Sequence, residues 1–218
     1  MMKMPCHAVV IVGSSSTIAS WIREYYSNRN IKIFTMSRHN NSDYTYESIL
    51  DLSLFLNIFL GIVKSGYTID EIYYCPGHIA KCSVAKISLS EWNKAFEVNL
   101  HGFLCIYQAL LASSESLSST KLIVTGSTAV VSLPKHNVAY SCSKIALETL
   151  ITFINNEPPS SVRACCVRLG SCQTNFANNL NKVNLIRKED FLHLVNLIHE
   201  IRAEVLPELL VIRPINQP

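Results

Sequence analysis

Glycine is scarce in this sequence, with only seven in 218 residues. Few backbone positions can therefore turn freely through a positive φ, and each glycine becomes a candidate for a special conformation. Charge is sparse as well: 19 basic and 16 acidic residues leave a net +3. With no basic cluster and no interleaved aromatic platform, nothing favours a nucleic-acid or membrane partner. No apolar run approaches the roughly 18 residues of a membrane span. The opening Met1 to His7 leads into only five apolar residues, Ala8 to Val12, too short for the core of a signal peptide. The eight cysteines, at 6, 75, 82, 105, 142, 165, 166 and 172, show no Cys-x-x-Cys spacing, so no zinc or other metal site is expected. Without an export signal, reduced thiols in a cytoplasmic protein are the expectation. What the sequence does have is hydrophobic content of 49%, which excludes a disordered chain. Its length suits one domain over residues 1–218, with an ample core and no room for a second.

Apolar β-rich runs alternate with helical patterns. Strands are expected near 7–12, 31–36, 47–50, 70–75, 120–125, 162–168 and 208–213, and helices near 16–29, 52–64, 89–115, 137–156 and 188–204. That order implies an α/β fold: a doubly wound parallel sheet of Rossmann type, about seven strands, covered by helices on both faces. Residues 171–187, rich in Asn and Ser, have no clear period. They follow a strand's C-terminal end, where an open α/β sheet builds its site, and are expected to form the substrate loop.

Two local patterns carry chemistry. Gly13-Ser14-Ser15-Ser16-Thr17-Ile18-Ala19 follows the first strand, and its amides open a helix that suits a pyrophosphate. Alone, it is equally an ordinary serine-capped helix start. Tyr140 and Lys144 stand four apart on one helix face, where an ammonium beside a phenol favours the phenolate. Ser127 ends a strand 13 residues before Tyr140, close enough in sequence for a strand-end loop to bring its hydroxyl to the same place. Tyr-x-x-x-Lys by itself is common and is usually a solvated helix pair.

Taken in order, these residues resemble the short-chain dehydrogenase/reductase family, in its shorter-subunit branch, over nearly the whole chain. Gly13 to Ala19 matches the Thr-Gly-x-x-x-Gly-x-Gly turn, and Asp51-Leu52 matches the acidic residue after the third strand. Tyr74-Cys75-Pro76-Gly77 stands where the family has Asn-Asn-Ala-Gly, and Val98 to Gly102 matches its mid-helix asparagine motif. Ser127, Tyr140 and Lys144 match the catalytic serine, tyrosine and lysine, and Gly170 and Thr174 match the Pro-Gly-x-x-x-Thr segment. The resemblance implies hydride transfer between a nicotinamide cofactor and a carbonyl or alcohol carbon of a small substrate. Tyr140 is then the proton donor and Ser127 the partner of the carbonyl oxygen. Lys144 lowers the tyrosine pKa and holds the ribose, and Asn99 orders a relay water. The implied cofactor wall is Gly13, Ser15, Ser16, Thr17, Ile18, Ser37, Arg38, Asp51, Leu52, Gly77, Tyr140, Lys144, Gly170 and Thr174. Homodimers or homotetramers are also implied, and apolar Phe103, Ile106, Leu110, Leu147, Leu150 and Ile151 exceed what one sheet face should cover.

The sequence departs from the family pattern at Thr17 and Ala19, which replace glycines, and at Val12, Cys75, Pro76 and Leu169. These changes bear on the cofactor turn, and they support a second reading: a sensor or signalling protein that binds cofactor with little turnover. At the end of the second strand, Ser37 occupies the position of an acidic residue that would bond the ribose 2′-hydroxyl, and Arg38 can pair with a 2′-phosphate. NADP(H) is therefore expected over NAD(H).

Overall fold

The computed structural model describes residues 6–29, 31–113, 119–157, 161–174 and 185–215. The elements run β1 (Cys6–Val12), α1 (Thr17–Ser27), β2 (Lys32–Ser37), β3 (Tyr44–Thr45), α2 (Leu52–Lys64), β4 (Tyr67–Tyr74) and α3 (Leu89–Phe96). A π-helical turn (Glu97–His101) joins α3 to α4 (Gly102–Ala112). Then come β5 (Thr120–Ser127), α5 (Ala129–Ser132), α6 (Val138–Asn156), β6 (Val162–Leu169), α7 (Lys188–Glu200), a 3-10 turn (Ala203–Val205) and β7 (Leu209–Ile212). All seven strands pair in parallel in the order β3-β2-β1-β4-β5-β6-β7. The order reverses between β1 and β4, and such a switch point opens a crevice at the strands' C-terminal ends.

Alternation along β1 divides the core. Ala8, Val10 and Val12 pack with α2, α4 and α6 in one cluster, whereas Val9 and Ile11 pack with α1 and α7 in the other. Successive side chains of a strand point to opposite faces, so an unbroken apolar run fits a strand covered on both sides.

Two expectations change. The third strand is Tyr44–Thr45, not 47–50. Tyr46 N–H still donates to Ser37 O at 3.1 Å at the end of the short ladder, while the side chains of Tyr46 and Ile49 are buried against Phe55 and its neighbours, so their apolar character serves packing. The helix expected at 89–115 is interrupted by the π turn, where Gly102 N–H donates to Glu97 O. By length and composition, Leu89–Ala112 passes for a membrane span, at 24 residues and mean hydropathy 1.2 in its most apolar window. Half of that window is buried inside the fold, as expected of a core helix. Phe103, Ile106, Leu110, Leu147 and Ile151 are likewise inside the chain's own core, with Leu150 packed against it, so they are not surplus surface.

Among the described residues the strongest polar feature of the interior lies low in the sheet. Glu71 on β4 accepts hydrogen bonds from the Tyr26 hydroxyl, from the Tyr73 hydroxyl at 2.8 Å and from Lys121 Nζ at 3.2 Å, and is joined to His199 Nδ1 at 2.9 Å. Lys121 Nζ also donates to Ile198 O at 2.7 Å and His199 O at 2.8 Å, near the end of α7. Burial pushes the Glu71 carboxyl up. The His199 hydrogen bond, the Lys121 charge and the two hydroxyls outweigh that and hold it below its ordinary value.

Candidate active site

A cleft of about 670 Å³ lies at the C-terminal ends of β1, β2, β4, β5 and β6. Its first wall is the turn after β1. Gly13 has φ +75°, and a Cβ there would stand 2.9 Å from the ring of Pro76, so a side chain is excluded by both conformation and space. Ser16 caps α1, its Oγ accepting from Ala19 N at 3.1 Å. The helix thus begins at Thr17, and the two residues that replace family glycines fall in its first turn. Ser15, Ser16, Thr17 and Ile18 line the cleft, and Ala19 is buried against the sheet.

Ser37 and Arg38 reach the same cleft from the end of β2. The Ser37 hydroxyl is already engaged: it donates to His39 O at 2.9 Å and accepts from His39 N at 3.0 Å, closing its own turn. Arg38 makes no hydrogen bond or ion pair among the described residues and is the available cation at this end.

At the other end Tyr140 is half-buried at the start of α6. Burial pushes its phenol above 10.0, and a hydrogen bond with Ser127 pulls it partly back. Ser127 Oγ also accepts from Ala129 N at 3.1 Å, which fixes the hydroxyl's place. Lys144, one turn along α6, is 2% exposed. Its Nζ donates to Thr125 O at 2.7 Å and lies 5.9 Å from the Tyr140 ring centroid. Burial pulls its pKa down to about 8, against a smaller opposing pull from Cys166, Cys75 and Glu148. In this state desolvation dominates the Tyr140 shift, and Ser127 is the group that opposes it.

Asn99 does not line the cleft. Its Nδ2 donates to His78 O and Ser143 Oγ, both at 2.9 Å, and its Oδ1 accepts from His78 N at 2.8 Å. Ser143 Oγ in turn donates to Tyr140 O at 2.9 Å. Asn99 therefore ties the loop after β4 to the backbone that carries Tyr140, which makes it a positioning residue rather than a group facing the reaction space.

Gly77, Gly170 and Thr174 line the cleft, whereas Asp51 and Leu52 do not. Asp51 instead caps α2, its Oδ1 accepting from Leu54 N at 2.9 Å. The carboxylate on this wall is Glu47, beside Tyr46 and Ile49. Sequence reasoning missed all three because it placed the third strand at 47–50, through Glu47 and Ile49 and just past Tyr46; the Tyr44-Thr45-Tyr46 run was the available signal. Cys75 and Cys172 also face the cleft, and burial pushes both thiols up to about 12, so they are neutral wall groups rather than nucleophiles. Of the expected substrate loop, residues 175–184 lie outside the described residues.

The parts fit an extended anionic dinucleotide: a turn opened by a glycine that admits no side chain, a capped helix start, an unpaired arginine at one end and Tyr140 with Ser127 at the other. Comparison with known proteins agrees with this geometry. A family model, short chain dehydrogenase, matches residues 51–184. The chain belongs to the short-chain dehydrogenase family, a family of nicotinamide-dependent oxidoreductases. A search of curated proteins finds no match. Among solved structures, an alcohol dehydrogenase from the archaeon Thermococcus sibiricus, complexed with 5-hydroxy-NADP, has a TM-score of 0.81 at 18% identity, covering 98% of each chain. Serine dehydrogenase from Escherichia coli also gives 0.81, at 16% identity over 97% of this chain and 99% of that one. A 3-ketoacyl-(acyl-carrier-protein) reductase from Brucella melitensis, complexed with NADH, gives 0.81 at 12% identity over 97% and 98%. At these identities the likeness is one of fold.

Proposed function

We propose that this protein is an NADP(H)-dependent reductase of small carbonyl compounds, acting through Tyr140 and Ser127. The observation that carries this reading is the half-buried Tyr140 phenol, which lines the cleft together with Ser127 and is held above its ordinary pKa by burial. A phenol that keeps its proton at neutral pH is equipped to donate it to a carbonyl oxygen. Bound nicotinamide supplies the hydride. Ser127 holds the oxygen that receives the proton. Lys144 and the Asn99-Ser143 link position Tyr140, and Gly13 to Ile18 receive the pyrophosphate at the start of α1.

Arg38 is the basis for the NADP(H) preference, since a free guanidinium pairs with a 2′-phosphate and Ser37 is engaged elsewhere. The solved relatives carry both cofactor types: serine dehydrogenase was determined with NADP+, and the Brucella melitensis reductase with NADH. Eight free thiols fit a reducing cytoplasm. Self-association rests on the outer face of α6, where Ile145 and Phe153 are exposed. A dimer or tetramer mass in light scattering supports it, and a purely monomeric mass at micromolar concentration rejects it.

The test of the central reading is NADPH consumption with aldehydes, ketones and quinones. Tyr140→Phe should lower reduction by at least about a hundredfold with little change in NADPH affinity, because only the acid is lost. Lys144→Ala should impair both. A parent protein that binds NADPH, reduces nothing and is indifferent to Tyr140→Phe is the sensor instead.

A further inference from the structure

Two segments that border the substrate end of the cleft are one-sided in charge. Segments 78–90 and 128–147 contain Lys81, Lys86, Lys135 and Lys144 and no Asp or Glu, in a chain whose totals are 19 basic and 16 acidic residues. The two segments meet directly, because Cys82 bridges Asn137 in parallel, three residues before Tyr140. That bridge places Lys81 at the Tyr140 end of the cleft, which it lines together with Asn137.

The cations of the cleft differ in their commitments. Lys94 pairs with Glu97 at 2.7 Å, and Lys144 is held by Thr125 O. Arg38 and Lys81 alone among the described cleft-lining cations make neither a hydrogen bond nor an ion pair. They stand at opposite ends, and the reading above assigns Arg38 to the cofactor phosphate. Asn137 makes no side-chain bond to the helix it precedes, so its amide is also open to a ligand.

We infer that the substrate carries an anionic group, carboxylate or phosphate, that Lys81 binds while Tyr140 addresses the carbonyl. This inference rests on the reductase reading. Four cations, Arg38, Lys81, Lys94 and Lys144, stand against two carboxylates, Glu47 and Glu97, among the described cleft-lining residues. Such a positive excess concentrates oppositely charged ligands, and filling the cleft with cofactor and substrate removes water, which strengthens the pairing.

The test compares matched substrates with saturating NADPH: succinic semialdehyde against butanal, and dihydroxyacetone phosphate against dihydroxyacetone. The parent should favour the anionic member of at least one pair by about tenfold or more in kcat/KM, mainly through KM. Whichever pair shows it distinguishes carboxylate from phosphate. Lys81→Met should bring the two members together, Lys81→Arg should restore most of the preference, and Lys86→Met, outside the cleft, should leave it intact. Equal use of both members of both pairs overturns the inference while leaving the reductase standing. A preference that survives Lys81→Met, or is lost in Lys135→Met instead, also overturns it.

Calorimetric titration of the NADP+ complex with succinate and with inorganic phosphate reads the subsite without turnover. Binding of either by the parent that is lost in Lys81→Met supports the subsite even if no carbonyl is reduced, in which case the reductase reading alone fails. No binding of either, together with no charge preference, overturns it.

Discussion

Two lysines are buried in this fold, and their surroundings are opposite. Lys121, low on β5, has the Glu71 carboxylate and two carbonyls around its ammonium. Lys144, at the cleft, has one carbonyl and no hydrogen-bonded carboxylate. The lower group is closed: Glu71 has Tyr26, Tyr73, Lys121 and His199 as partners, and together they join α1, β4, β5 and α7. The upper group has no such set of partners, and burial pulls Lys144 down to about 8. A polar cluster that satisfies itself holds a fold together, whereas one that leaves donors and cations facing a cavity is built to receive something.

The largest effect that can break this comparison is at the closed cluster. Glu71→Gln removes the charge that Lys121 faces, and breaking a buried pair from one side costs about 3–5 kcal/mol. Chemical denaturation at pH 7 should show that loss. Because the Glu71 pKa is lowered in the fold, the carboxylate stabilises above the unfolded value of 4.5 and loses that contribution as pH falls through the lowered folded value. The gap between parent and variant should therefore close in acid; a constant gap down to pH 3 speaks against the pair.

Next comes Lys144. Its folded pKa of about 8 lies below 10.5, so folding carries a penalty that is complete below pH 8 and is relieved as pH rises toward 10.5. The parent should therefore gain roughly 2 kcal/mol relative to Lys144→Met between pH 7 and 9.5, the scale set by about 1.4 kcal/mol per pKa unit. Parallel stability curves for the two proteins reject the open-cluster description.

The smallest effect belongs to Arg38. Arg38→Ala should weaken NADPH binding about tenfold, or about 1.4 kcal/mol, and leave NADH binding nearly unchanged. Fluorescence titration of both cofactors measures it, and equal losses for the two cofactors place Arg38 elsewhere.

The parallel sheet and both helical layers could be read from the sequence because most strands are apolar runs and most helices apolar stripes, patterns set by local burial. The third strand could not. Two residues of ladder give almost no periodicity, while Tyr46 and Ile49 are apolar for packing alone. At the site, Gly13 to Ile18, Ser127, Tyr140 and Lys144 were legible as spacings. Asp51 was misleading, because a carboxylate capping a helix looks the same in sequence as one facing a ligand. Glu71 and Lys121 were visible as charges inside apolar strands. Their pairing, 50 residues apart, is a product of the β4-β5 register, which sequence alone does not give.

The division of labour between the two clusters is tested most directly by measuring kcat/KM with NADPH and the unfolding free energy together, for Tyr140→Phe and Glu71→Gln, at a temperature where both remain folded. The account predicts a crossed result. Tyr140→Phe loses reduction by about a hundredfold or more at nearly parental stability, and Glu71→Gln loses stability while its folded fraction reduces carbonyls at the parental rate. Retained reduction in Tyr140→Phe, or lost reduction in a folded and stable Glu71→Gln, contradicts it.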